Sequence, residues 1–300
     1  MKFNFRGLYS PVGKKLIPIT KEALDDRKSL FAVYPDDFHN PILPQKKTSK
    51  NEFDFLLSIN FIGDLEMAIL RIVSDLRYAT SIQIYNMLKI KGLDVERTKV
   101  QTVIKKLKNK SFLKQIGFYN GTVTETQTVL KAYSLGYHGV GIFRLRNEET
   151  KLQGYISQMP TRNIKKVLAT NQLLISIFSV MKISFESLIC VVYPDIKDAI
   201  IRTSSVINCN DSTYLVECVR RDENWDTVLK ERITRYKKVI DNYKKLNITV
   251  NTEPVVIFLA EDYDHMKEVK NLIGCNLGFK YMFTYDTILL EDINLAFFKA

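Results

Sequence analysis

From Asp64 onward the apolar positions fall into a helical period. Leu65, Ile69, Ile72 and Val73 stand at i, i+4, i+7 and i+8, one stripe of an amphipathic helix. Thr80-Ser81-Ile82-Gln83 opens a second helix as a T-x-x-Q capping box, in which hydroxyl and amide satisfy each other's free backbone N–H groups. Ile82, Ile84, Tyr85 and Leu88 supply its apolar bulk, and Gly92 stops it. Asp94 suits the N-cap of a third helix, whose Val100, Val103, Ile104 and Leu107 lie in one narrow stripe. Phe112 to Tyr119 reads as a strand broken by Asn120-Gly121, a pair that tolerates positive φ and signals a hairpin. The return strand falls within Val129 to Leu135.

Three helices and a hairpin come in the order of a winged helix-turn-helix, which assigns residues 51–145 to such a domain. Five of the eight prolines lie in the first 44 residues, so residues 1–50 read as an irregular basic arm. The arm either trails free or packs through Phe3, Phe5, Leu16, Ile17, Leu30 and Phe31. Residues 161–182 carry Ile164, Val167, Leu168, Leu173, Leu174, Ile177 and Phe178 at helical spacing and form a bridge within 146–184. Strands follow at Leu188 to Tyr193, Ala199 to Thr203 and Thr213 to Val219, then a long helix between about Asp226 and Leu246. Val255 to Ala260 is a continuous apolar run, as in a strand covered on both faces. A helix near Asp262 to Ile273 and a strand near Phe279 to Tyr285 complete an α/β domain with a mixed sheet over 185–300. The expected class is α+β, a winged helix-turn-helix domain followed by a mixed-sheet α/β domain.

The 300 residues are 46% apolar and 26% charged, enough to bury a core in each of two domains, which excludes a disordered chain. No apolar run reaches the roughly 18 to 20 residues of a membrane span. The amino-terminal MKFNFRGLYSPVGKK has no apolar h-region, so a cytoplasmic protein without a membrane partner is expected. Cys190, Cys209, Cys218 and Cys275 form no CxxC pair, and His39, His138 and His265 are the only histidines. Zinc-ligand spacing is absent, and the thiols read as core residues. There is no phosphate-binding GxxxxGK[ST], no GxGxxG and no GxSxG. No cofactor, no metal and no catalytic step are expected.

Charge adds a partner. Lys+Arg total 44 against 33 Asp+Glu, a net +11, which points to a polyanion and first to nucleic acid. Residues 97 to 124 hold Arg97, Lys99, Lys105, Lys106, Lys108, Lys110 and Lys114 without one acidic residue, seven of the eleven net charges. On a helical wheel Thr98, Gln101, Thr102, Lys105 and Asn109 oppose the apolar stripe of the third helix. Such side chains reach base edges, while Lys99, Lys106 and Lys108 meet phosphates, the division of labour of a helix in the major groove. Lys110, Lys114 and the turn at Asn120 lie on the wing. Ser81 and Gln83, at the amino end of the second helix, serve either to hold a phosphate or only as capping residues.

Several segments are similar to the replication-relaxation family of bacterial plasmids and other mobile elements. These are the winged-helix segment from about 60 to 135, Ala169-Thr170-Asn171-Gln172-Leu173, Tyr214-Leu215-Val216-Glu217, Lys230-Glu231-Arg232-Ile233-Thr234-Arg235-Tyr236 and Pro254-Val255-Val256-Ile257-Phe258. Where the family pattern has a histidine, this sequence has Thr170-Asn171. The resemblance implies a double-stranded DNA-binding accessory protein of replication, relaxation or conjugative transfer, with a relaxase or a replication protein as partner. The α/β half resembles the PD-(D/E)xK nuclease-like, restriction-endonuclease-like fold in element order. It departs from an active member, because Ile200-Ile201-Arg202-Thr203 has no carboxylate and Glu217-Cys218-Val219 has valine where the lysine belongs. Asp195, Asp198, Glu217 and Asp222 then read as ordinary carboxylates, and the domain serves self-association as a homodimer or recruits the partner. A winged-helix transcriptional repressor, and a Mg²⁺-dependent nuclease built on Glu217 and a residue of the long helix, stay open as alternatives.

Overall fold

The computed structural model describes residues 29–34, 36–41, 50–119, 130–148, 150, 159–181, 183–187, 190–192, 200–209, 211–248, 250, 252–274, 277–291 and 297–299. The fold is α+β, in two compact units. One comprises Asp36–Ile164, the other Met1–Pro35 with Lys165–Ala300. These limits differ from the divisions at 50/51, 145/146 and 184/185 read from the sequence. The second unit takes most of the bridging helix because Leu168, Leu173, Leu174 and Phe178 are buried, and it takes the described end of the arm because Ser29 and Val33 bond to its core.

The first unit runs β1 (Phe38–Pro41), α1 (Lys50–Ser58), α2 (Asp64–Leu76), α3 (Ser81–Ile90), α4 (Arg97–Asn109), β2 (Leu113–Tyr119), β3 (Leu130–Leu135) and α5 (Tyr137–Leu145). The α2 stripe is buried in full at Ile69, Ile72 and Val73, and α4 buries Val100, Val103, Ile104 and Leu107. The expected hairpin is β2 and β3, paired antiparallel from Leu113↔Leu135 to Phe118↔Leu130. Tyr133 of β3 also exchanges backbone hydrogen bonds with Ala79, which lies between α2 and α3. β1, inside the expected irregular arm, adds a third strand along β2, and the Phe38 and Tyr119 rings stack at 5.2 Å.

Gly92 is left-handed at φ +81° and ends α3 as expected. Asp94 is not the N-cap of α4: it pairs with Lys89, and Glu96 precedes the first turn without a side-chain cap. Gly139 lets α5 lie against the turn that leads into β2, since a Cβ there would stand 2.3 Å from the Phe112 carbonyl oxygen. His138 is buried beside it. Its Nδ1–H donates to the Lys110 carbonyl at 2.7 Å, and its ring packs on Phe53 and Phe112.

The second unit is built on one mixed sheet. Its elements are α6 (Thr161–Phe178, divided from the first unit after Ile164), β4 (Ser184–Ser187), β5 (Cys190–Val192), β6 (Ile200–Arg202), β7 (Ser205–Cys209), β8 (Ser212–Cys218), α7 (Trp225–Ile240), β9 (Val255–Ala260), α8 (Tyr263–Ile273), β10 (Tyr281–Tyr285), α9 (Ile288–Glu291) and β11 (Phe298–Lys299). The order is β11-β10-β9-β8-β7-β4. β8, β9 and β10 are parallel, joined by the crossover helices α7 and α8, while β4, β7 and β8 form an antiparallel meander. Ile200–Arg202 is not the second strand of this sheet, as the sequence suggested. It pairs with β5 in a separate two-stranded sheet, and β7 takes its place beside β8.

Strand alternation divides the two faces. Val206, Leu215, Val256, Phe258 and Phe283 share a core with Leu229, Tyr236 and Val239 of α7 and Met266 and Val269 of α8. Ile207, Tyr214 and Ile257 face the other side and meet Ile177 at the end of α6. The carboxyl ends of the three parallel strands carry buried charge. Arg220, 1% exposed, is bidentate to Asp286 at 2.9 and 3.0 Å. Ser29 donates to the same carboxylate, the Val33 N–H donates to Glu261 at 3.1 Å, and the Lys165 ammonium donates to the Ala32 carbonyl.

His265 lies in that region, fully buried and edge-on to Trp225 at 4.9 Å. Its Nδ1 accepts the Glu261 N–H. Burial, with the Arg221 and Arg220 charges behind it, lowers its pKa from 6.5 to about 3. The unfolded chain binds a proton on this ring below pH 6.5 and the folded chain does not, so the contribution of neutral His265 is complete above 6.5 and lost as the pH falls. His265→Asn keeps an acceptor for the Glu261 N–H and removes this titration. Urea unfolding at pH 6.5 and 5 should show the wild-type protein losing about 1.5 kcal/mol more than the variant. Equal losses would refute the assignment.

Candidate nucleic-acid interface

The burial of one stripe of α4 fixes which of its side chains face outward. Arg97, Thr98, Lys99, Gln101, Thr102, Lys105 and Asn109 are all exposed. Among the described residues Arg97, Lys99, Lys105 and Lys108 make no ion pair, although Lys108 is half-buried. Thr102 donates its hydroxyl to the Thr98 carbonyl at 3.0 Å, and the Thr98 hydroxyl reaches Glu96 at 3.4 Å. Gln101 and Asn109 are the uncharged amides of this face. The first turn of α4 holds no acidic residue and the last turn holds Lys106 and Lys108, where cations suit the helix dipole.

Two cations assigned to phosphate are occupied within the protein. Lys106 donates to the Phe61 carbonyl at 2.9 Å and to Glu66 at 2.6 Å, with its ammonium 4.3 Å from the centre of the Phe61 ring. Burial raises the Glu66 pKa, and the Lys106 contacts together with backbone hydrogen bonds more than offset it, so the net shift is downward. Lys110 pairs with Glu52 of α1 at 3.4 Å. Both ammonium groups are thus shared with carboxylates of their own unit, and Lys106 lies on the flank of α4 facing α2 with its side chain 40% exposed.

Gln83 is corrected. The capping box forms as expected, with Thr80 Oγ accepting the Gln83 N–H and Gln83 Oε1 accepting the Thr80 N–H, both at 3.1 Å. The Gln83 side chain is nevertheless fully buried, which removes it from any phosphate. Ser81 beside it is half-exposed. Lys114 lies half-buried on β2, and its charge, second to burial, lowers the pKa of His39, whose ring bonds Thr161 at 2.7 Å. Asn120 and the turn it starts lie outside the described residues.

The carboxylates of the second unit form no comparable open site. Glu217 is bound by Arg232 of α7 and accepts the Tyr236 hydroxyl at 2.9 Å. Both partners of Glu217 thus stand on the long helix, one a guanidinium and the other a phenol. β7 has no carboxylate. Asp222 lies 3.8 Å from Lys166, and Arg221 engages Asp262 and Glu268. Asp195 and Asp198 lie outside the described residues. Among the described residues no group of three or more His, Cys, Asp or Glu could hold a metal ion. Burial pushes the Cys218 thiol up to about 11. A cavity of about 270 Å³ at the end of α6, lined by Ile177, Met181, Ile207, Tyr214 and Met282 among others, has no charged side chain to orient a polar ligand. No described helix is long and apolar enough to cross a membrane.

The sequence reading missed α1, which carries one partner of Lys110. Phe53, Leu56 and Leu57 stand at i, i+3 and i+4, a signal that could have revealed it. Compared with known proteins, the chain matches no family model, no curated protein and no solved structure.

The two classes of lysine on α4 should separate in stability. Lys106→Ala should cost about 1–2 kcal/mol in chemical denaturation, because it strands Glu66 and the Phe61 carbonyl, while Lys105→Ala should stay within about 0.5 kcal/mol of wild type. Equal effects would contradict the tether.

Proposed function

We propose that the chain is a double-stranded DNA-binding protein that lays α4 in the major groove and the β2–β3 hairpin along the adjacent backbone. The observation that carries this reading is the outer face of α4, where Arg97, Lys99 and Lys105 are exposed and unpaired among the described residues around Thr98, Gln101 and Asn109. Cations there meet phosphates and amides read base edges. The element order supports it. α2, the Ala79–Tyr133 bridge, α3, α4, β2 and β3 follow one another as in a winged helix-turn-helix. Lys106 and Lys110 hold α4 against its own unit, which leaves the other cations preorganised for a phosphate backbone.

The resemblance to the replication-relaxation family makes the process replication or transfer of a mobile element, in which the protein is an accessory factor at an origin. In the second unit the order α6, the β4–β7–β8 meander, the crossover α7 and the parallel β9 supports reading it as a restriction-endonuclease-like core. Glu217 is tied to Arg232 and Tyr236 there, so we read this unit as non-catalytic, serving self-association or recruitment of a relaxase or replication protein.

Fluorescence anisotropy on labelled duplexes tests the reading. Lys99→Glu with Lys105→Glu should abolish binding while the far-UV circular dichroism stays that of wild type, since both side chains are exposed. Gln101→Ala should relax the preference at one or two base positions, at about 1–3 kcal/mol for the lost contact. Undiminished affinity of the double variant would remove α4 from the interface.

A further inference from the structure

The outer layer of the second unit is electrically lopsided. Of its two crossover helices, α8 exposes Lys267 and Lys270 against Asp264 and Glu268, and these charges are partly consumed: Lys267 pairs with Asp264 and Glu268 with Arg221. On α7, Lys230, Arg235, Lys237 and Lys238 are exposed, with Lys244 following in the short 3-10 turn Tyr243–Lys245. The exposed acids there are Glu231, which lies 3.8 Å from Arg235, and Asp241 at the carboxyl end. Among the described residues Lys230, Lys237, Lys238 and Lys244 make no ion pair.

The helix wheel places these lysines together. The buried side of α7 is set by Leu229, Tyr236, Val239 and Ile240. At 100° per residue Lys230, Thr234, Lys237 and Lys238 fall within about 100° of arc on the opposite side, with Thr227 among them. Lys230 and Lys238 are eight residues apart, about 12 Å along the axis. One strand of B-form DNA presents a phosphate about every 3.4 Å of axis, so the stripe spans three or four phosphates. The lysines offer charge and the Thr227 hydroxyl a hydrogen bond to phosphate oxygens, while the Thr234 hydroxyl donates to the Lys230 carbonyl at 3.3 Å and Asp241 closes the carboxyl end of the stripe; no aromatic or amide group in it reads a base. That composition suits a backbone contact without sequence preference.

We propose that the outer face of α7 is a second double-stranded DNA contact, one that grips phosphates without reading sequence. The inference rests on the reading of the protein as DNA-binding and gives its second unit a direct share of the affinity. Lysines that neutralise phosphates release counterions, so each contact appears in the slope of log affinity against log salt, at about 0.9 per phosphate.

The experiment measures that slope for the full chain on a mixed-sequence duplex. Replacing Lys230, Lys237 and Lys238 together by Gln should reduce its magnitude by about two to three and leave any base preference of the protein unchanged. The single variant Lys238→Gln should reduce it by about 0.9, and it answers the question if the triple variant does not fold. Lys267→Gln with Lys270→Gln on α8 should leave the slope as in wild type. An unchanged slope in the α7 variants, or an equal reduction in the α8 variant, overturns the proposal. The two readings fail separately: loss of binding in the α4 double variant beside wild-type slopes in the α7 variants keeps α4 and rejects α7, and the reverse pattern rejects α4 and keeps α7.

Discussion

The burial of Val100, Val103, Ile104 and Leu107 against α2, α3 and β2 sets everything on the surface of α4. Four apolar side chains within one arc lock the rotation of the helix about its axis, because turning it would bring Lys105 or Gln101 into the core and an apolar residue into water. Burying each such side chain stabilises by about 1.5–3 kcal/mol. That is far more than any single surface ion pair contributes. The core therefore decides which cations face solvent, and the ion pairs only trim the result.

The second unit solves a different problem at the carboxyl ends of β8, β9 and β10. An open α/β sheet leaves a crevice there. Here the chain fills it with its own charged groups. Arg220 is bidentate to Asp286 and donates to the Val219 carbonyl, and Glu261 accepts the N–H groups of Val33 and Arg221. A buried pair of this kind adds little over an apolar replacement, but removing one partner is costly, since the other charge is left stranded. The arrangement thus acts chiefly as specificity for one packing: Ser29 and Val33 come from the far end of the chain and fit only where these acceptors stand. This is also why the amino-terminal segment belongs with the carboxy-terminal sheet rather than with the helices that follow it in sequence.

Local order was legible and non-local order was not. The capping box at Thr80, the stop at Gly92, the apolar stripes of α2, α4 and α7 and the strand Val255–Ala260 are written within a few residues of themselves. β1 is written nowhere nearby: Phe38-His39-Asn40-Pro41 has no period of its own and becomes a strand because Tyr119 and its neighbours lie alongside. Pro41 fits an edge strand, where a missing N–H costs nothing. α5 was hidden by Gly136, Gly139 and Gly141, which argue against a helix until the close approach of the Phe112 carbonyl and the Phe53 ring accounts for two of them. On α4 the outward face followed from the wheel. The tether of Lys106 did not, because Glu66 and Phe61 become its neighbours only when α2 and α4 pack.

That tether bears on how the surface works. A lysine loses rotamer freedom when it is ordered, at up to about 2 kcal/mol. The structure spends that entropy during folding on Lys106 and Lys110, whose carboxylate partners sit on α2 and α1. With the helix fixed by its apolar stripe, Lys99 and Lys105 would, under the proposed DNA-binding reading, need to order only their own side chains to meet a phosphate backbone. The two bound lysines thus spend their charge within their own unit, and the acidic residues beside the basic helix decide which of its cations stay unpaired among the described residues.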